Sequence, residues 1–370
     1  MAFGSISVDK ITDSEGSVFS PSSALFRNRI INGDMRIDQR NAGAAVTINA
    51  ATRTYGIDRW FGFGQATDGV FTIQQDTNAP TGFVNSTKIT TTTADASVGA
   101  SQYYLFGQSI EGFNIADLGW GTANAKTVTL SFWVYSSLTG TFGGSLTNNG
   151  NNRSYPFSYT ISSANTYEQK TITIAGDTSG TWLTTNARGI DVWFDLGCGS
   201  SNIGTAGAWV GSGLYGVTGS VKLISTLNAT WYITGVQLEV GSVATPFERR
   251  PYGTELALCQ RYYEKSYNIE TVPGANDGTG SHRHGGGAMD NDMFTTVKFA
   301  VTKRVTPTMT AYTTDGTSGS WKYRRSGVSA TNSTVTFAGT GQQGTVPYLN
   351  VGTSYVVADM YGHWVASAEL

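Results

Sequence analysis

Two segments of the chain place aromatic and acidic side chains in the pattern of a sugar-binding surface. Trp133 and Tyr135 alternate with apolar residues in the first segment, and Trp193 alternates with Asp191 and Asp195 in the second. An aromatic ring stacks on the apolar face of a sugar, and a carboxylate accepts hydrogen bonds from sugar hydroxyls. These five residues therefore predict a carbohydrate-binding face. The alternative is that the aromatic residues pack against a neighbouring subunit or a covering loop, because interfaces are enriched in aromatic residues.

A second candidate site lies near the end of the sequence, between turn-rich segments. Its residues are Trp321, Tyr323, Arg324 and Arg325, with Asp290 and Asp292 following a glycine-rich loop. Exposed aromatic rings beside arginines can hold an acidic saccharide, and loops often carry recognition residues. An ordinary structural role for the same residues is an equal alternative.

Motifs for metal binding or catalysis are weak in this sequence. His282 and His284 share one loop, and in a trimer such pairs could surround one axial metal, although a solvated loop is the simpler interpretation. The glycine pattern at 211–216 matches a dinucleotide fingerprint in letters only, because a strand rather than a helix is expected to follow it. No nucleophile elbow, Walker loop or zinc-protease motif occurs. We therefore expect no cofactor and no enzymatic activity, with a glycoside hydrolase using acidic pairs such as Asp290 and Asp292 as a minor alternative.

The composition predicts a folded protein of short strands and many turns. Charged residues are 14% of the chain, below the roughly 25% of an ordinary globular protein. The chain has 46 glycines, and its 12% aromatic residues supply core-forming side chains. A net charge of -2 provides no field for holding a phosphate backbone or an anionic lipid surface, which excludes nucleic acid as an expected partner. Cys198 and Cys259 lack the spacing of a disulfide framework or a zinc site and are expected to be buried thiols.

Hydrophobic periodicity predicts strands around both aromatic segments. In residues 127–135 and 189–197 apolar side chains recur every second position, which a helix does not produce. The alternation in residues 229–241 changes phase at Gly235, which predicts a β-bulge there. The final residues, from Trp364 to Leu370, alternate in the same way.

One helix is predicted, from Thr254 as its N-cap to about Lys265. Leu256, Cys259 and Tyr263 form a narrow apolar seam along it. Such a seam either covers the edge of a sandwich or meets its copies across a threefold axis. No internal repeat of 20–50 residues occurs, so a β-helix is not expected.

Three blocks of sequence resemble a known family. They are Asn28-Arg29-Ile30-Ile31-Asn32-Gly33-Asp34-Met35 with Gln39-Arg40 and Asp58-Arg59-Trp60; Ser131-Phe132-Trp133-Val134; and Trp231-Tyr232-Ile233-Thr234-Gly235-Val236-Gln237-Leu238-Glu239-Val240-Gly241 continuing through Pro246-Phe247-Glu248 and Arg250-Pro251 to Tyr263. In these blocks the chain resembles bacteriophage tail fibre and receptor-binding proteins with a carbohydrate-binding-module-like jelly roll. The segment Ile6-Ser7-Val8-Asp9-Lys10-Ile11 is similar to the opening of virion-attached fibres, and residues 364–370 are similar to fibre C-termini.

The resemblance implies an all-β protein with four parts. Residues 1–28 would anchor the chain to other virion proteins, and 29–250 would form a jelly-roll β-sandwich. A connecting helix would occupy 251–268, and a smaller β-sandwich in 269–370 would be the distal tip.

The resemblance also implies a homotrimer that attaches a phage particle to a host-surface glycan, with recognition above all beyond Tyr263. A structural adaptor or head fibre that binds only virion proteins is the alternative, and a capsule-degrading enzyme is a third. No signal peptide and no run of about 18 apolar residues is present, so we expect synthesis in the host cytoplasm, location in the virion and no membrane insertion.

Overall fold

A computed structural model describes residues 11–12, 18–19, 26–65, 67–285, 288–289, 292–325, 329–350 and 355–370. The chain divides into two compact units. The first comprises the described residues of Met1–Met35, Thr47–Thr54 and Phe61–Arg250, and the second those of Arg36–Val46, Tyr55–Trp60 and Pro251–Leu370. Two short segments expected inside the jelly-roll domain thus belong to the second unit. Most of residues 1–28 lies outside the described residues, so their anchoring role stays a prediction.

Strands account for most of the regular structure up to residue 250. They are β1 (Ile11–Thr12), β2 (Val18–Phe19), β3 (Val46–Ile48), β4 (Thr54–Ile57), β5 (Trp60–Gly64), β6 (Val70–Asp76), β7 (Ser86–Thr93), β8 (Tyr103–Glu111), β9 (Val128–Ser136), β10 (Gly140–Asn148), β11 (Ser154–Ile161), β12 (Glu168–Ile174), β13 (Arg188–Cys198), β14 (Ile203–Gly204), β15 (Gly216–Val217) and β16 (Thr230–Val240). Short 3₁₀ helices lie at Gly112–Asn114, Ala116–Leu118, Ser200–Asn202 and Leu223–Ser225.

The first unit is a sandwich of two antiparallel sheets in a jelly-roll arrangement. The front sheet contains β11, β10, β13, β8 and β5 in that order, and the back sheet contains β12, β9, β16, β7, β6 and β3. Alternate residues of β9 and β13 face each other in the core, where the rings of Phe132 and Phe194 lie 5.2 Å apart. The strands predicted from the alternation in 127–135 and 189–197 are confirmed.

The bulge predicted at Gly235 is also confirmed. The register of β16 against β9 shifts between Thr234 and Gln237, and Gly235 has a φ of 62°. Ile233 before the shift and Val236 after it are both fully buried. The bulge therefore keeps both halves of β16 directed into the core although their sequence phases differ.

A buried hydrogen-bond network joins the first and last sequence blocks of the sandwich. The amide N of Asn28 donates to Glu248 Oε2 at 2.9 Å, and Asn28 Nδ2 donates to the Val236 carbonyl at 3.1 Å. Asn28 Oδ1 accepts from the Leu238 amide at 3.0 Å, and Arg250 Nη1 donates to the Ile30 carbonyl at 3.1 Å. These residues satisfy one another in the interior, so the two blocks have a structural role.

The second unit has one helix and two small sheets. Its elements are α1 (Tyr252–Gln260), β17 (Tyr263–Lys265), β18 (His282–Gly285), β19 (Ala288–Met289), β20 (Asp292–Phe294), β21 (Val297–Lys298), β22 (Thr308–Tyr312), β23 (Ser320–Arg325), β24 (Thr331–Thr334), β25 (Thr336–Gly341), β26 (Gly344–Asn350) and β27 (Tyr355–Ser367). The long strand β27 pairs with β17, β18, β19, β22 and β23, while β26 pairs with β20, β21 and β25. Between them lies a core that includes Met293, Leu349, Met360 and Trp364. The expected all-β class with a smaller C-terminal β-sandwich is confirmed.

The helix differs from its prediction. It begins at Tyr252 with Pro251 in the N-cap position, so Thr254 lies inside the first turn, and it ends at Gln260. Cys259 is fully buried. Tyr263 belongs to β17 and is 6% exposed, and the Arg40 guanidinium lies over its ring, 3.7 Å from the ring centre. Of the expected oligomer seam, only Leu256 is half-buried. The other two residues are covered within the chain, so the seam does not form on the surface, and the trimer stays a prediction. No helix of the described chain is long and apolar enough to cross a membrane.

Candidate functional site

A cavity of about 180 Å³ opens on the outer face of the front sheet. Its floor comes from β5, β8 and β13, and its rim comes from the loops that contain residues 53, 151 and 215. The lining residues are Arg53, Phe63, Tyr103, Leu105, Asn151, Arg188, Asp191, Trp193 and Tyr215. All of them belong to the first unit.

One carboxylate and two guanidinium groups form the polar side of the cavity. Asp191 Oδ2 accepts from Arg188 Nη1 at 2.6 Å and from Arg53 Nη2 at 3.2 Å, and Asp191 Oδ1 accepts from the Ser109 hydroxyl. The Asp191 side chain is 3% exposed, and each arginine side chain is 24% exposed. Arg188 also donates from Nε and Nη2 to the side chain and backbone of Asn149, both at 3.1 Å. These bonds hold the charged groups in one arrangement.

Aromatic rings form the other side. Phe63 and Tyr103 stack at 5.6 Å, Tyr215 lies 4.8 Å from Tyr103, and Trp193 lies 5.8 Å from Tyr215. Burial raises the pKa of Tyr103 to about 12 and also raises the pKa of Tyr215. Both phenols therefore stay neutral at physiological pH and can donate hydrogen bonds.

The local sequence explains how Trp193 reaches its position. It is buried, it pairs across the sheet with Gly107, and its indole Nε1 donates to Thr147 Oγ1 at 3.0 Å. A Cβ on Gly107 would lie 2.8 Å from the indole ring and 2.5 Å from the Val192 carbonyl. Glycine at this position lets the ring pack close to the backbone of β8.

The structure brings together two of the five residues in the first predicted site. Asp191 and Trp193 line the cavity. Asp195 does not line the cavity. Its side chain is 1% exposed and accepts hydrogen bonds from the Gly197 amide at 2.8 Å and from the Ser220 hydroxyl at 2.9 Å. Its burial raises its pKa to about 6.

Trp133 and Tyr135 lie on the other side of the sandwich. Both are half-buried on the outer face of β9 in the back sheet, where Tyr135 packs against the rings of Tyr167 and Tyr232 at 5.2 and 4.9 Å. The prediction of one shared face was wrong, because β9 and β13 belong to different sheets and their outer faces point in opposite directions.

The second predicted site does not form as expected. Trp321 is fully buried and Tyr323 is 7% exposed, and both belong to the core of the second unit. Trp321 Nε1 donates to the His363 carbonyl at 2.7 Å. Arg324 is exposed and pairs with Asp359 at 2.7 Å. The two rings face the core and not solvent, which removes the stacking surface that the prediction needed.

The remaining candidate residues have structural contacts or lie outside the described residues. Asp290 lies outside them, whereas Asp292 accepts a hydrogen bond from Tyr348 at 2.7 Å. His282 Nε2 lies 3.1 Å from the Thr295 hydroxyl, and burial and the nearby His284 lower its pKa. Within the described part of the chain, no group of three or more metal-ligating side chains occurs.

The two cysteines match their prediction. Cys198 and Cys259 are free and fully buried, and burial raises the pKa of both thiols well above the usual range.

Sequence reasoning missed most of the cavity. The missed residues are Arg53, Phe63, Tyr103, Leu105, Asn151, Arg188 and Tyr215. One signal was present, because Arg188 and Asp191 have opposite charges at the beginning of a predicted strand. A register shift between Arg188 and Ile190 brings the two side chains to the same face. The other residues come from the strands β5 and β8 and from three separate loops, and no local pattern joins them.

Comparisons with known proteins give structural neighbours only. No family model matches the chain, and no curated protein does. The similar solved structures include the enzymatically active domain of tailspike protein 4 from bacteriophage CBA120, at 13% identity and a TM-score of 0.31, covering 59% of this chain and 22% of that one. A putative sugar binding protein from Bacteroides thetaiotaomicron has 13% identity and a TM-score of 0.33, covering 58% of this chain and 100% of its own. A family 11 carbohydrate-binding module from Clostridium thermocellum has 10% identity and a TM-score of 0.28, covering 54% and 95%.

These neighbours are a carbohydrate-binding module, a putative sugar binding protein and a phage tailspike domain, and the matched region spans about a fifth of the tailspike chain. Their TM-scores are low. The assignment of the sandwich therefore rests on the strand order and register of this chain.

Proposed function

We propose that the protein binds carbohydrate in the cavity on the front sheet and acts as a non-enzymatic phage fibre protein that attaches the particle to a host-surface glycan. The observation that carries the binding proposal is the juxtaposition of Arg53, Asp191 and Tyr103 in one cavity. Sugar sites combine aromatic surface with a few fixed polar groups, and this cavity has both.

The size of the cavity suits a single sugar ring. Its 180 Å³ equals the space of about six water molecules at roughly 30 Å³ each. Three aromatic residues, Phe63, Tyr103 and Tyr215, offer apolar surface. The arginines and the neutral phenols offer donors, and the exposed Asn151 on the rim donates from Nδ2 to the Tyr215 hydroxyl. A ring that stacks on the aromatic side can therefore place its hydroxyls against the polar side.

Glycan binding is tested with two matched aromatic variants. Tyr103 and Tyr135 are both half-buried tyrosines of the first unit, but only Tyr103 lines the cavity. We expect Tyr103→Ala to lower glycan-array signal and adsorption to host cells by about tenfold, since a stacked ring contributes on the order of 1 kcal/mol or more. Tyr135→Ala should bind as the wild type does. Equal loss in both variants, or none in either, would contradict the cavity as the site.

The role in the virion rests on the resemblance of the three sequence blocks to phage fibres. The proposed role has three parts: the protein is a homotrimer, it attaches to other virion proteins through residues 1–28, and it is located on the phage particle. Light scattering on the full chain tests the trimer, and labelled antibody on purified particles tests the location. If the protein binds particles but neither glycans nor host cells, it is a structural adaptor or head fibre. New reducing ends from host polysaccharide would show a glycoside hydrolase instead.

A further inference from the structure

We infer that the cavity selects a sugar that carries a carboxylate group. This inference rests on the proposed function, because it names the ligand class of the same site. The charged lining residues are Arg53, Arg188 and Asp191, so two positive charges face one negative charge. The other six lining residues are uncharged. The cavity therefore has a net charge of about +1, and an anionic ligand balances it.

The hydrogen bonds of the two arginines show which one is available. Arg188 donates a hydrogen bond from Nη1 to Asp191, and its other two nitrogens donate to Asn149. Arg53 makes one such bond, from Nη2 to Asp191, and its buried Nε has no partner among the residues that the structure describes. A guanidinium has five N–H donors in a fork that matches a carboxylate. Arg53 is the residue that we expect to bind the ligand carboxylate.

Aromatic neighbours hold the Arg53 guanidinium in place before a ligand arrives. Its central carbon lies 5.1 Å from the ring centre of Phe61 and 5.6 Å from that of Trp193. These rings attract the cation and displace part of its water, which lowers the cost of ordering the side chain on binding. Asp191 restrains the same group from the other side. Asp191 Oδ1 already accepts a hydrogen bond from the Ser109 hydroxyl. This oxygen therefore does not take a second N–H group of Arg53 away from the ligand.

The cavity has room for one acidic ring. Because it opens on the outer face of the sheet, further residues of a glycan would extend from it into solvent. Uronic acids, sialic acids and sugars with carboxylate substituents share this chemistry. Which of these sugars binds then depends on how its hydroxyl groups match the other polar groups of the cavity.

The experiment compares acidic and neutral sugars of the same shape. Isothermal titration of the full chain would use methyl β-D-glucuronide and methyl β-D-glucoside, the corresponding galacto pair, and N-acetylneuraminic acid. We expect at least one acidic sugar to bind about tenfold or more tightly than its neutral partner, as a bidentate charged hydrogen bond implies. Added salt should weaken binding of the acidic sugar and leave binding of the neutral sugar unchanged.

Two arginine variants provide the control. Arg29 has 21% side-chain exposure and pairs with Asp117 away from the cavity lining, so it matches Arg53 in burial and charge. Arg53→Gln should lower affinity for the acidic sugar much more than affinity for its neutral partner, so that the acidic preference is lost, whereas Arg29→Gln should change neither affinity. Neutral-sugar binding with no acidic preference, or an unchanged preference in Arg53→Gln, would refute the inference while leaving glycan binding intact. If no sugar of either kind binds, the proposed function fails with it.

Discussion

Replacing Asp191 with Asn removes the negative charge that holds two arginines in the wall of the cavity. Asp191 is 3% exposed and accepts from both Arg53 and Arg188. Asn has nearly the same shape, so the Ser109 hydroxyl keeps an acceptor at Oδ1. The two arginines then lose their internal counter-charge. The substitution therefore isolates the charge of this carboxylate from its volume.

The expected cost follows from the burial of the three groups. A hydrogen bond to a charged group contributes about 1.5–3 kcal/mol to stability, and Asp191 makes two with the arginines. The arginines keep 24% exposure, so water replaces part of each lost bond. We expect the free energy of unfolding to fall by about 2–3 kcal/mol. In a unit of this size that lowers the melting temperature by about 4–12 °C.

Calorimetry of the full chain measures the shift, with Asp117→Asn as the control. Asp117 also pairs with an arginine, but its side chain is 47% exposed, and we expect a change below about 0.5 kcal/mol. A second measurement uses acidic-sugar binding: Asp191→Asn should bind an acidic sugar more tightly, because Arg188 Nη1 and Arg53 Nη2 both lose the carboxylate that they pair with. Equal shifts in the two variants, or weaker acidic-sugar binding in Asp191→Asn, would refute this account of the cavity.

Three further substitutions test other parts of the structure. Trp321→Ala should destabilise the second unit by about 3–5 kcal/mol in urea unfolding, because the ring is fully buried. Arg324→Ala on the same strand should cost less than about 0.5 kcal/mol. Similar costs in the two variants would contradict the core position of Trp321. Gly235→Ala should cost about 2 kcal/mol, because φ is 62° and a Cβ would lie 2.7 Å from the Phe83 ring; a neutral effect in urea would contradict the bulge geometry. Burial raises the pKa of Asp195 to about 6, so the folded state binds its proton more tightly than the unfolded state and stability falls as pH rises from about 4 through 6. The contribution of Asp195 to this fall should be at most about 3 kcal/mol, so the fall should be smaller by that amount in Asp195→Asn, as measured by urea unfolding at each pH.

The local pattern of the sequence predicts strands well and their partners poorly. Alternation with period two is a property of neighbouring residues, so it correctly locates β9, β13 and the bulge at Gly235. The choice of sheet depends on pairings between distant segments. Trp133 and Trp193 therefore look equivalent in sequence, yet their strands lie in opposite sheets.

Alternation also leaves open which face of a strand is buried. Trp321 and Tyr323 share one face of β23, and Arg324 lies on the other. The presence of arginine beside the rings suggested an exposed cluster. Both rings are buried in the core of the second unit, because their face of β23 packs against the other sheet, which contributes Met293 and Leu349 to that core. A similar limit applies to the seam on α1, where Cys259 and Tyr263 are buried by their own chain.

The sequence blocks that carry the resemblance share no residue with the lining of the cavity. Asn28, Glu248 and Arg250 satisfy one another inside the sandwich, and a change in any of them leaves a buried polar group without its partner. Such residues are restrained by the fold whatever the ligand is. Arg53 and Tyr215 lie outside these blocks and meet only at the cavity. Two chains that share the blocks should therefore share the sandwich, while exchange of the loops containing residues 53, 151 and 215 should change the sugar that is bound without changing the fold.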